Sequence, residues 1–120
     1  MSRVETVEYL QSTLSAMFPD NGVRVRIRDV LGENIYLLYT HNKSKEQCSM
    51  GILENDPAFM HFMISQDRKG WYIEYPATHC NKIFSNGALK FRKINAKTEQ
   101  EAAEKLVAWF VKNRELIVNV

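Results

Sequence analysis

Between Val23 and Ala96 the chain runs in short stretches of alternating apolar and polar residues, with no segment long and periodic enough to be a helix crossing over a sheet. This feature constrains the fold most. Parallel neighbours need a crossover of a dozen or more residues, so strands joined without one must run antiparallel. A helical pattern lies on each side of this β-rich middle. The expected class is therefore α+β, an antiparallel β-sheet flanked by an N-terminal and a C-terminal helix.

Both helices carry start signals. Ser2 with Glu5, and Thr98 with Glu101, have the spacing of a capping box, in which hydroxyl and carboxylate each accept a backbone N–H at the helix start. Val4, Val7, Leu10, Leu14, Met17 and Phe18 recur at helical spacing, and Pro19-Asp20-Asn21-Gly22 ends the run. Ala102, Ala103, Leu106, Val107, Phe110 and Val111 form the apolar stripe of the second helix. Strands are expected at 23–30, 35–41, 48–53, 59–65, 71–75 and 90–96, with turns at 32–34 and 66–70. Residues 42–46 read as a polar loop. Residues 76–89, with Pro, Asn and Gly but no clear period, read as an irregular insertion, and 114–120 as an extended tail. The span 1–120 is expected to be a single domain with a core of its own.

Sixteen Lys and Arg against fourteen Asp and Glu leave a net charge of +2, so any role for basic residues must come from local clustering. No apolar run approaches the roughly 20 residues that span a bilayer, and the first residues lack the apolar core of a signal peptide. Cys48 and Cys80 make no disulfide framework, which fits free thiols in a reducing cytoplasm, the cell's own or a host's.

Thiolate or metal chemistry would have to use Cys80 and its neighbour His79, with Cys48, His41 and His61 elsewhere. The spacing supports neither. There is no CxxC and no histidine pair four apart on a helix, and adjacent residues of a strand point to opposite sides, away from a nucleophile–base contact. No glycine-rich phosphate loop or nucleophile elbow occurs. The expectation is a chain that is not an enzyme and holds no metal and no cofactor.

The stretch VRVRIRDV (23–30) places Arg24, Arg26 and Arg28 on one side of a strand and Val23, Val25 and Ile27 on the other. Such a row is either a solvated face or an anion site. Nucleic acid is one candidate. Lys43, Lys45, Lys82, Lys90, Arg92 and Lys93, with Tyr36, Trp71 and Tyr72, would add to a basic, aromatic surface. Against it, the second helix opens with Glu99-Gln100-Glu101, which repels phosphates.

Several short motifs, taken in order, are similar to those of the Src-homology-two domain. Ser2-Arg3 opens the first helix. Gly22 precedes Val25-Arg26-Ile27-Arg28-Asp29, whose Arg28-Asp29 matches the arginine–acid step of the strand that follows the family's first helix, and Ile35-Tyr36-Leu37-Leu38 follows. HFMISQDRKGWYI (61–73), LVAWF (106–110) and the apolar 116–120 resemble later stretches of the family. The resemblance spans most of the chain through short motifs, and Val30 stands where the family has a phosphate-binding serine.

This resemblance implies a non-catalytic module that binds phosphotyrosine-containing proteins or peptides. Arg28 would be the bidentate anchor, with Arg3 and Arg26 assisting and His61 as a structural or rim residue. Arg26 exchanges roles with Arg28 if the register shifts by two. The alternative is a protein-interaction or nucleic-acid-binding domain using the same basic strand face, with no membrane partner in either case.

Overall fold

The computed structural model describes residues 2–29, 32–40, 59–76 and 91–114. Helix α1 (Arg3–Met17) leads into strands β1 (Gly22–Asp29), β2 (Glu33–Thr40), β3 (Phe59–Asp67), β4 (Gly70–Pro76) and β5 (Phe91–Ala96), and helix α2 (Glu99–Lys112) follows. The strands form one sheet in chain order, every neighbouring pair antiparallel. The expected α+β arrangement is present. The strand expected over 48–53, the loop over 42–46, nearly all of the insertion and the tail beyond 114 lie outside the described residues, as do Cys48, Cys80, His41, His79 and Val30.

Both helices begin where their capping boxes lie. Ser2 Oγ accepts the Glu5 N–H at 3.2 Å, and Thr98 Oγ1 accepts the Glu101 N–H at 3.1 Å. Glu101 returns the favour to the second helix by accepting the Lys97 N–H at 3.3 Å. Its carboxyl also meets Lys105 one turn on, and hydrogen bonds from Lys105 and then Lys97 hold its pKa below the ordinary glutamate value. The last turn of α1 has no basic residue of its own. Arg114, just past α2, supplies one, donating to the Met17 carbonyl at 3.3 Å.

Alternation along the strands sends one set of side chains toward both helices. Val23, Val25, Ile35, Leu37, Tyr39, Met60, Phe62, Ile64, Ile73 and Ala96 pack there against Leu10, Leu14 and Phe18 of the α1 region and Ala102, Ala103, Leu106 and Phe110 of α2. Phe18, Tyr39, Phe62 and Phe110 meet as rings 4.8–5.7 Å apart in tilted or edge-on contacts. The helices lie side by side in the same direction. Arg3 and Thr6 meet Glu99 at one end, and Phe18 meets Phe110 at the other.

Two residues of the expected apolar stripes fall outside the core: Val4 and Val111 are each 59% exposed. On α1 the buried row is Thr6, Leu10, Leu14 and then Phe18, four residues apart. Thr6 occupies the core position because its hydroxyl is satisfied, donating toward the Ser2 carbonyl (3.0 Å) and Glu99 Oε1 (2.8 Å).

The β3–β4 turn sets the far rim of the sheet. Asp67 Oδ1 accepts the Lys69 N–H at 2.8 Å, and Gly70 follows at φ 125°, a backbone conformation that side chains rarely adopt. A Cβ at Gly70 would also press to 3.3 Å from the Ala96 carbonyl of β5.

Candidate functional site

The strand register builds the face opposite α1 and α2 row by row. Arg24 stands beside Leu38 and then His61; Arg26 beside Tyr36, Met63, Glu74 and Lys93; Arg28 beside Asn34, with Ser65, Tyr72 and Asn95 completing the third row. All three arginines therefore share this face, as alternation requires. Leu38 is 2% exposed here, and Asn34 and Ser65 are buried as partners, the serine hydroxyl donating to the asparagine side-chain oxygen.

The arginines differ in what they touch. Arg28, half-buried, lies with its guanidinium carbon 5.0 Å from the centre of the Tyr36 ring. It reaches diagonally toward His61, whose pKa is held below the ordinary 6.5 by burial first and by the charge of Arg28 second. Neutral imidazole is therefore the form present at neutral pH. Arg26 is exposed and folds back onto its own strand, Nη1 donating to the Val25 carbonyl at 3.1 Å. A second cation–ring pair lies across the sheet, with Lys93 Nζ 4.4 Å from the centre of the Tyr72 ring.

Arg3 does not join them. Its Nε donates to Glu99 Oε2 and its Nη1 to the carbonyl and carboxylate of Glu33, each at 3.1 Å. Its guanidinium carbon lies 5.7 Å from the centre of the Trp71 ring, whose side chain packs against the helix-side core. Arg3 is thus a clasp between α1, β2 and α2 on the helix-bearing side. The structure brings Arg24, Arg26, Arg28 and His61 together and leaves Arg3 apart.

Of the other basic and aromatic residues weighed from the sequence, Tyr36, Tyr72 and Lys93 share the arginine face. Trp71 faces the helices, and Arg92 is opposite Tyr75 on that same side. Glu74 was missed. It stands beside Lys93 and Met63 on the arginine face, and the alternation of Trp71, Ile73 and Tyr75 against Tyr72 and Glu74 would have placed it there. Among the described residues no three His, Cys, Asp or Glu side chains gather as metal ligands, and no helix is long and apolar enough to cross a membrane. No protein-family model, curated protein or solved structure matches this chain.

Proposed function

We propose that this chain is a non-catalytic binding module that captures a phosphate-bearing ligand, a phosphotyrosine peptide, on the sheet face opposite α1 and α2. The observation that carries the reading is the diagonal of Arg28, Tyr36 and His61. A guanidinium is a planar fork of N–H donors that matches a doubly charged oxyanion, and lysine cannot reproduce that fork. Arg24 and Arg26 add positive potential along the same strand. His61 forms the rim, and a bound dianion beside it would favour its protonated form. The resemblance to Src-homology-two domains supplies the ligand class. The reading no longer uses Arg3, whose donors meet Glu33 and Glu99.

One observation favours a second reading. Lys93 over Tyr72 repeats the cation–ring pair on the same face, as a surface for single-stranded nucleic acid would. Fluorescence polarisation with a phosphotyrosine peptide, its unphosphorylated twin and a single-stranded oligonucleotide separates the two. The proposal expects binding of the phosphopeptide alone, competed by free phosphotyrosine. Oligonucleotide binding that falls steeply between about 50 and 200 mM salt, with no response to phosphotyrosine, replaces it with the second reading.

A further inference from the structure

Among the described strands β1 is an outer one, so alternate backbone N–H and C=O groups point away from β2. Gln11 of α1 reaches this edge. Its Nε2 donates to the Val23 carbonyl at 2.8 Å, and its Oε1 accepts the Val25 N–H at 3.0 Å. One residue of a parallel neighbouring strand would make the same two bonds. Ser15, one turn on, steadies the amide by accepting from Nε2 at 3.0 Å. The next outward group, the Val25 carbonyl, is the one taken by Arg26. Three successive edge groups are therefore occupied by side chains, and only then comes Ile27, 37% exposed. The other outer strand is treated alike, since Lys105 of α2 donates to the Asn95 carbonyl of β5 at 2.7 Å.

We propose that Gln11 is a built-in stand-in for a neighbouring strand, an autoinhibitory contact that stops β1 of a second copy of this chain from pairing with this edge. The occupant follows from the edge itself. Two β1 strands pair antiparallel about a two-fold axis with the same surface on both sides, joining two sheets into one. That union shelters Ile27 but lines up two rows of Arg24, Arg26 and Arg28 on one continuous face. Their repulsion is a second guard, and salt weakens it. This inference does not depend on what the arginine face binds.

The test uses the full chain with Gln11→Met, which keeps side-chain length and removes both hydrogen-bonding groups. Amide hydrogen exchange and sedimentation equilibrium are measured beside the wild type and Gln11→Ala. The wild type is expected to be monomeric. In the variants, at a dilution that keeps them monomeric, the Val25 amide exchanges at least about fivefold faster while that of Leu37, inside the sheet, is unchanged. The variants also self-associate, more strongly at about 0.5 M than at about 0.05 M sodium chloride. Unchanged Val25 exchange in the dilute sample, a variant that stays monomeric when concentrated, or self-association of the wild type each overturns the proposal. So does failure of both variants to fold, because Gln11 then holds the structure together and does not guard its edge.

Discussion

A guanidinium is a rigid fork of donors, and its role is decided by which acceptors reach it first. Arg3 meets two carboxylates, one of them the largely buried Glu99, so removing it strands a charge. Arg3→Ala is expected to lower unfolding free energy by about 1–3 kcal/mol in urea titrations. Phosphotyrosine affinity should stay unchanged, and loss of affinity in the folded variant would return Arg3 to the site. Arg28 faces a tyrosine and a histidine. Arg28→Lys should weaken phosphotyrosine binding by about tenfold or more in calorimetry, since a charged hydrogen-bond pair contributes roughly 1.5–3 kcal/mol. Arg24→Lys should be nearly silent and Arg26→Lys intermediate; equal, small losses at all three would mark a solvated face. His61 supplies a pH signature. Its folded pKa lies below the ordinary 6.5, so the unfolded chain binds the proton first as pH falls. The stability His61 contributes is whole above 6.5 and is lost as pH drops toward the folded value, and in His61→Gln that part of the stability–pH curve should flatten.

At the scale of elements, the local signals were legible. Capping boxes at Ser2 and Thr98 locate both helix starts because the bonds they make are three residues long. Strand alternation sorts the arginines from Val23 and Val25 because a pleat allows only two faces. What the sequence could not reveal depends on partners far along the chain. The clasp on Arg3 comes from Glu33 and Glu99, 30 and 96 residues away. The exposure of Val4 and Val111 depends on which arc of each helix the other helix and the sheet cover. Gln11 carries no signal of its own in the sequence, because the strand edge it bonds exists only once β1 is placed. The turn at Gly70 combines both kinds of information: the glycine is visible in the sequence, the closeness of Ala96 is not. Gly70→Ala should cost about 1–3 kcal/mol, measured by thermal or urea unfolding. A neutral outcome would mean that the turn relaxes to a negative φ.

For the whole molecule, the two faces of one sheet divide the labour. The helix side holds the structure together, and Phe110, in contact with Phe18, Tyr39, Phe62 and Trp109, is its centre. Phe110→Ala should destabilise by about 3–5 kcal/mol, a large part of what a domain of this size has to lose, and chemical denaturation will show it. The arginine side carries charge at modest structural cost, so substitutions there should alter binding before they alter folding. Between these faces one feature sets the order of events during synthesis. Helix α1 leaves the ribosome before the strands, yet the groove it shares with the sheet is completed by Ala102, Ala103, Leu106 and Phe110, nearly a hundred residues later. Until those residues emerge, Leu10, Leu14 and Phe18 have only half their shelter, and the meander of strands has a bare, oily side. Native structure therefore arrives late and at once, after the first helix and the last have met, and until then the strands between them are exposed to whatever binds unfinished proteins.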